Sequence, residues 1–82
     1  MTHGYHTRKI EKGNLGMPSK IREEFEEFED AMKQGNPVMA VHELTDLIGA
    51  IEAFVANYNF TLTDLLTMKE ATKRAFRDGT RN

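Results

Sequence analysis

Acidic side chains are concentrated in two segments of this sequence, and together they could hold a metal ion. Six carboxylates lie between positions 23 and 30, and Glu43 and Asp46 follow three positions apart in a mostly apolar segment. Carboxylate oxygens are the ligands that Mg²⁺ and Mn²⁺ prefer. The sequence contains no cysteine, which excludes thiolate metal sites and a thiol nucleophile. The chemistry open to these residues is that of a divalent cation held by oxygen ligands.

Helical periodicity places both acidic segments on helices. Apolar residues recur every three or four positions over 21–32 and over 41–55, which predicts two amphipathic helices. Pro18 is suited to open the first helix, and Gly35 is suited to end it. Asn36 can cap the second helix. The turn between these helices is short, so they must lie antiparallel.

A third helix is predicted over about 62–77, because Thr61 and Asp64 have the spacing of a capping box and Gly79 is placed to stop the helix. The predicted fold class is all-α, a three-helix antiparallel bundle. At 82 residues the chain is short for a self-sufficient core, so we expect a larger helical bundle formed by oligomerisation. Residues 1–17 are interpreted as an N-terminal arm and residues 18–82 as the helical domain.

The charge distribution argues against several classes of protein. The formal net charge of −2 combines +2 over residues 1–17, −6 over residues 18–61 and +2 over residues 62–82. Modules that bind nucleic acid usually carry a basic face on a basic domain, so we expect no nucleic-acid partner. We also expect a cytoplasmic protein without a membrane partner, because no apolar stretch reaches the length of a membrane span and none resembles a signal peptide.

The position of each acidic side chain on its helix separates the hypotheses. On a helical wheel Glu24 lies about 60° and Glu27 about 120° from the centre of the apolar stripe, while Asp30 falls on the other flank or the outer face. This run alone also fits a solvated acidic face, and Asp46 alone could pair with a Lys or Arg of the third helix. Glu43 and Asp46, however, project from the same side of a mostly apolar helix, where an unpaired charge is costly to bury. Both groups together favour a shared cation.

The two acidic segments resemble a known signature. They read EEFEE at 23–27 and ELTD at 43–46, which is similar to the E-E-x-x-E … E-x-x-D pattern of MazG-like nucleoside triphosphate pyrophosphohydrolases. Relatives of that superfamily include dimeric dUTPases and phosphoribosyl-ATP pyrophosphohydrolases. The sequence also looks similar to short MazG-like proteins of phage genomes, including its compact C-terminal helix. The resemblance covers about residues 18–56. It implies that Glu23 orients or deprotonates the attacking water and that Mg²⁺ or Mn²⁺ is held by Glu24, Glu27, Glu43 and Asp46.

The function that the resemblance implies is hydrolysis of a nucleoside triphosphate, or a related nucleotide, to a monophosphate and pyrophosphate. The expected partners are the nucleotide and further copies of the chain, in a homodimer or a higher homo-oligomer. Two alternatives stay open: a catalytically weak nucleotide-binding or helical interaction protein that keeps the carboxylate site, and a purely structural helical dimer. The presence of Glu43 and Asp46 on the apolar helix argues against the structural dimer.

Basic and imidazole side chains supply the remaining candidates. Lys73 and Arg77 lie four positions apart on the third helix and could contact phosphate, although a helix C-terminus favours basic residues in any case. His3 and His6 in the arm could bind metal or cover the nucleotide. They have no partner ligand at helical spacing, so we expect a surface or packing role for both. For His42, beside Glu43, we expect either a contact with a metal ligand without binding the metal itself, or a packing role.

Overall fold

The computed structural model describes residues 6–77, which form three α-helices and no strand. Helix α1 spans Pro18–Lys33, α2 spans Pro37–Ala56 and α3 spans Leu62–Arg77. The all-α class and the three predicted helices are confirmed. No helix in this part of the chain is both long enough and apolar enough to cross a membrane. The predictions made for His3 and Gly79 lie outside the described residues.

The turn between α1 and α2 has the local chemistry that the sequence indicated. Gly35 adopts a φ of +70°, and its N–H donates to the carbonyl of Met32 at 3.0 Å. The N–H of Asn36 reaches the carbonyl of Ala31 at 3.1 Å, which completes a Schellman motif. The side chain of Asn36 then accepts a hydrogen bond from the N–H of Met39 at 3.1 Å and caps α2. Both predicted helix boundaries are confirmed.

The start of α3 is a capping box. The Thr61 N–H donates to the carboxylate of Asp64 at 2.8 Å, and the Asp64 N–H donates to the Thr61 hydroxyl at 3.1 Å. Within residues 6–77, α3 contacts α2 and does not contact α1. Within the described residues, the acidic groups of α1 therefore meet α2 and the arm, and not α3.

Small residues let α1 and α2 approach closely. Ala31 of α1 and Ala40 and Ala50 of α2 are all buried. Glu24 and Glu43, which lie on the same faces as these alanines, are buried with them. The buried face of the helical hairpin is therefore alanine-rich and acidic.

The apolar stripes of α1 and α2 face solvent, although the helical wheel was drawn on the expectation that each stripe would be buried. On α1, Phe25 is 45% exposed and Met32 is 53% exposed. On α2, Val41, Leu44 and Ile48 are also exposed. We expected the apolar stripe of each helix to face the next helix, whereas α1 packs against α2 through its alanine and carboxylate side. A large apolar surface consequently stays open on this part of the chain.

The described part of the arm, residues 6–17, lies against α1 and reaches the end of α2. A Cβ atom on Gly13 would clash with the carbonyl of Ser19, so the close approach of the arm to the first turn of α1 requires glycine. The side-chain amide of Asn57 donates to the carbonyl of Gly16 at 2.7 Å. These contacts hold the arm over the acidic side of α1.

Candidate metal centre

The four predicted metal ligands lie close together between α1 and α2. Ligand oxygens of Glu24, Glu43 and Asp46 all lie within 4.8 Å of one another. Glu27 belongs to two further groups of this kind, one with Glu23 and Glu24 and one that contains Glu43. The antiparallel hairpin accounts for this arrangement, because it sets residues 24 and 27 of α1 beside residues 46 and 43 of α2. Asp46 is the exposed member of the set.

Glu24 carries the clearest sign that these carboxylates suit a cation. Its side chain is buried, and Oε2 forms an ion pair with the ammonium of Lys20 at 3.0 Å. Its Oε1 atom is buried without a hydrogen-bond partner in the described part of the chain. A desolvated carboxylate oxygen without a donor is costly, and a bound cation would remove that cost. The donor set therefore fits a hard divalent ion such as Mg²⁺ or Mn²⁺.

Glu27 shows the same excess of negative charge. Burial raises the pKa of its carboxyl to about 7, and the neighbouring charges of Glu24, Glu43 and Glu23 act in the same direction. His6 acts in the opposite direction. A divalent cation among these carboxylates would favour the ionised form of Glu27 and lower this pKa again.

Glu23, the predicted catalytic residue, is only 2% exposed and is held by three donors. Its Oε1 accepts from the Gly13 N–H at 2.8 Å and from Lys20 at 3.2 Å, while Oε2 accepts from Lys12 at 3.3 Å. Burial alone would raise the pKa of this carboxyl, but the Gly13 N–H and the two lysines leave the pKa below its ordinary value. On a helical wheel Glu23 lies about 40° beyond Glu27, farther from the apolar stripe, which predicts a more exposed position. That prediction is wrong because the arm covers Glu23.

Asp30 and the arm form a polar cluster that the sequence did not indicate. Asp30 is 1% exposed, so its predicted position on the outer side of α1 is wrong. It accepts hydrogen bonds from the Thr7 hydroxyl at 2.6 Å, the Thr7 N–H at 3.0 Å and the Gln34 amide at 2.9 Å. The Thr7 hydroxyl is the main reason that the pKa of Asp30 lies well below its usual range. The spacing of three between Glu27 and Asp30, the same as between Glu43 and Asp46, was the available signal.

The same cluster places His6 next to the predicted ligands. The Nδ1 atom of His6 lies 2.9 Å from Asp30 Oδ2, and Nε2 lies 3.1 Å from Glu43 Oε2. The surface or packing role expected for His6 therefore misses its polar contacts. His42 is exposed on α2.

An open groove of about 530 Å³ adjoins the carboxylates. Lys20, Glu24 and Asp46 line it, with Gly49 and Ala50 of α2. The small residues leave space, and the groove exposes a cation beside two of the predicted metal ligands. This combination of charges suits an anionic ligand that arrives with a divalent ion.

Comparison with known proteins agrees with this geometry. The family model described as phosphoribosyl-ATP pyrophosphohydrolase matches residues 1–75, which include the arm and most of α3. The chain belongs to the phosphoribosyl-ATP pyrophosphohydrolase family. That family lies within the MazG-like nucleotide pyrophosphohydrolase superfamily, so the superfamily that the acidic signature indicated is confirmed. No curated protein and no solved structure matched the chain.

In this member of the phosphoribosyl-ATP pyrophosphohydrolase family, the lysine beside the carboxylates is Lys20. A hydrogen bond to Glu24 is the main reason that its pKa is raised, and Glu23 adds to the effect against burial. Lys20 was missed in the sequence, although its spacing of three and four from these glutamates was a usable signal. Lys73 and Arg77, the predicted phosphate contacts, are exposed on α3, which does not contact α1 in residues 6–77.

Proposed function

We propose that this chain is a Mg²⁺-dependent nucleotide pyrophosphohydrolase that splits the bond between the α and β phosphates of a nucleoside triphosphate or a related nucleotide. The products are a nucleoside monophosphate and pyrophosphate. Family membership supports the class of reaction. The observation that carries the metal requirement is the buried Oε1 of Glu24, which has no hydrogen-bond donor in the described part of the chain. The carboxylate of Glu24 lies beside three further predicted ligands.

The proposed roles follow from the positions of the side chains. Glu24, Glu27, Glu43 and Asp46 hold Mg²⁺, or Mn²⁺ in its place. When bound, the ion neutralises phosphate charge and stabilises the leaving pyrophosphate. Glu23 orients the attacking water and accepts its proton, for which a lysine contact of Glu23 has to be released.

Three basic residues are proposed to bind the phosphates. Lys20 already lies in the groove beside Glu24 and Asp46, and a cation bound to Glu24 would free its ammonium for a phosphate oxygen. Lys73 and Arg77 are exposed on α3, so we propose that they meet the nucleotide across a contact between copies of the chain.

We also propose a homo-oligomer as the working form. Exposed apolar side chains on both helices of the hairpin, such as Phe25, Leu44 and Ile48, support this proposal. Burial of such a surface against a second copy removes it from water and is favourable by about 25 cal/mol per Å² of apolar area. A second copy would also bring further side chains towards the groove.

A pyrophosphate-release screen tests the proposed reaction. Nucleoside triphosphates, deoxynucleoside triphosphates and phosphoribosyl-ATP are each incubated with Mg²⁺ or Mn²⁺, with Glu24→Gln as the inactive control and Glu29→Gln, an exposed carboxylate of α1, as the matched control. We expect release of pyrophosphate from at least one nucleotide by wild type and Glu29→Gln, and a loss of at least ~100-fold in Glu24→Gln. Pyrophosphate release that persists in a chelator contradicts the metal requirement.

A second candidate is a nucleotide-binding protein with weak turnover, because the proposed base Glu23 already accepts three hydrogen bonds. Glu23→Gln separates the two functions when it is compared with Lys12→Gln, which removes one of those donors and leaves the carboxylate. If Glu23 is the base, Glu23→Gln binds metal and nucleotide but hydrolyses at least ~100-fold more slowly, whereas Lys12→Gln keeps its turnover. If wild type binds nucleotide without releasing pyrophosphate, the binding function stands instead.

A further inference from the structure

His6 of the arm is fixed between the acidic groups of the two helices. Its side chain is 9% exposed. Nδ1 lies 2.9 Å from Asp30 Oδ2, while Nε2 lies 3.1 Å from Glu43 Oε2 and 3.8 Å from Glu27 Oε1. The imidazole thus reaches α1 with one nitrogen and the space between Glu27 and Glu43 with the other.

Asp30 determines which nitrogen of His6 carries a hydrogen. The Asp30 carboxylate already accepts hydrogen bonds from the Thr7 hydroxyl, the Thr7 N–H and the Gln34 amide, so both of its oxygens serve as acceptors. An ionised carboxylate can only accept a hydrogen bond, so Nδ1 of His6 must be the donor. A metal-binding histidine usually donates from one nitrogen to a carboxylate, a carbonyl or water and binds the metal through the other. His6 has the first of these contacts and turns its other nitrogen towards two predicted metal ligands.

The distances around Nε2 match a shared ion better than a shared proton. For an ion bound at about 2.1 Å, ligand atoms at right angles to one another lie about 3 Å apart. The separation of 3.1 Å between Nε2 and Glu43 is close to that value. The separation of 3.8 Å between Nε2 and Glu27 lies between it and the roughly 4.2 Å of two ligands on opposite sides of such an ion. A proton on Nε2 can serve Glu43, but at 3.8 Å it forms no hydrogen bond with Glu27. One cation can serve all three atoms.

We propose that His6 supplies Nε2 as a metal ligand together with Glu27 and Glu43, so that the centre has a mixed nitrogen and oxygen donor set. This inference rests on the proposed metal-dependent function. Imidazole suits transition-metal ions better than it suits Mg²⁺, which carboxylates and water satisfy. The described arm is then part of the metal centre, and it gives this chain a preference for Mn²⁺ over Mg²⁺ that a site built from carboxylates alone would have to a smaller degree.

Pulsed electron paramagnetic resonance of bound Mn²⁺ detects the ligand directly. The chain has three histidines, so the double variant His3→Gln, His42→Gln leaves His6 as the only imidazole. We expect nitrogen modulation of the Mn²⁺ signal in wild type and in this double variant. Replacement of His6 by Gln should abolish the modulation. Its absence in the double variant with Mn²⁺ bound would overturn the proposal, and this measurement does not depend on the folding of a His6 variant.

Calorimetric titration with Mn²⁺ and with Mg²⁺ gives an independent readout. His6→Gln should weaken Mn²⁺ binding by ~10-fold or more and Mg²⁺ binding by less. His42→Gln is the matched control, because His42 is exposed beside Glu43, and it should leave both affinities unchanged. Unchanged or tighter Mn²⁺ binding by His6→Gln would overturn the proposal and make His6 an ion-pair partner that competes with the metal.

The failure of this inference is distinguishable from failure of the proposed function. If Glu43→Gln loses Mn²⁺ while His6→Gln keeps wild-type affinity, the carboxylate centre stands and the ligand role of His6 is wrong. If wild type binds neither ion at millimolar concentration, the proposed metal centre and the role of His6 both fall.

Discussion

Glu27→Gln should stabilise the metal-free protein above neutral pH. The pKa of Glu27 is raised from 4.5 to about 7, first by burial and then by the charges of Glu24 and Glu43. Between these two values the folded protein binds a proton that the unfolded chain has released. The free energy of unfolding therefore falls as the pH rises from about 4.5 to 7, and the full loss is present above pH 7.

The magnitude follows from the difference between the two pKa values. A difference of about 2.5 corresponds to about 3 kcal/mol. The side chain of Glu27 is 15% exposed, so water screens part of this repulsion. We therefore expect the free energy of unfolding of metal-free Glu27→Gln to exceed that of wild type by about 1–2 kcal/mol at pH 8. At pH 4.5 the two proteins should differ by less than ~0.5 kcal/mol, because Glu27 is then mostly protonated in the folded wild type.

Urea unfolding in a chelator at pH 4.5 and pH 8 measures this difference. Glu29→Gln is the matched control, because it removes an exposed carboxylate from the same helix and should show no such dependence on pH. Addition of Mg²⁺ or Mn²⁺ at pH 8 should reverse the order, since the ion stabilises wild type and finds fewer ligands in Glu27→Gln. If metal-free Glu27→Gln is no more stable than wild type at pH 8, the crowding of negative charge at this centre is refuted.

Three further outcomes are expected. Mg²⁺ or Mn²⁺ should raise the melting temperature of wild type but raise that of Asp46→Asn much less. Glu52→Gln, which removes an exposed carboxylate of α2, should behave as wild type, and equal shifts in all three proteins would show that the metal binds elsewhere. In thermal or urea unfolding, Gly13→Ala should lower the free energy of unfolding by about 1–3 kcal/mol, because the new Cβ clashes with the α1 backbone. Gly49→Ala should raise the free energy of unfolding by up to about 1 kcal/mol, because no atom of the described chain lies near its Cβ. Sedimentation at micromolar concentration should show an oligomer that Ile48→Asp dissociates, and a folded wild-type monomer would contradict this expectation.

The helices were predictable because their signals are local. Pro18, Gly35 and the pair Thr61 and Asp64 act within one helical turn, and each acts in the structure as its type and position indicated. The facing of the helices was not predictable in the same way. The rule that an apolar stripe faces its neighbour holds only where the chain itself supplies the partner surface, and here Ala31 and the carboxylates occupy the contact between α1 and α2.

The arm was the least predictable part of the site. Its contacts come from single groups, such as the Gly13 N–H on Glu23 and the Thr7 hydroxyl on Asp30, and a chain without periodicity does not show which side chain such a group will reach. The acidic pairs on α1 and α2 were visible because both follow helical spacing. The arm residues that complete the centre became visible only with the tertiary structure.

The number of hydrogen bonds that each buried carboxylate accepts separates structural carboxylates from candidate metal ligands, which the residue type alone cannot do. Glu23, Glu24 and Asp30 are all buried on α1. Glu23 and Asp30 accept hydrogen bonds from the arm, whereas one buried oxygen of Glu24 has no partner among residues 6–77. A buried carboxylate whose oxygens all accept hydrogen bonds can hold neighbouring segments in place. A buried carboxylate oxygen without a donor costs free energy that a bound cation would remove. By this criterion Glu24 is a candidate metal ligand, whereas Asp30 holds the arm. Glu23 groups with Asp30 until a lysine leaves it, so the proposed role of Glu23 as a base requires Lys20 to move from its carboxylate to a phosphate when a nucleotide binds.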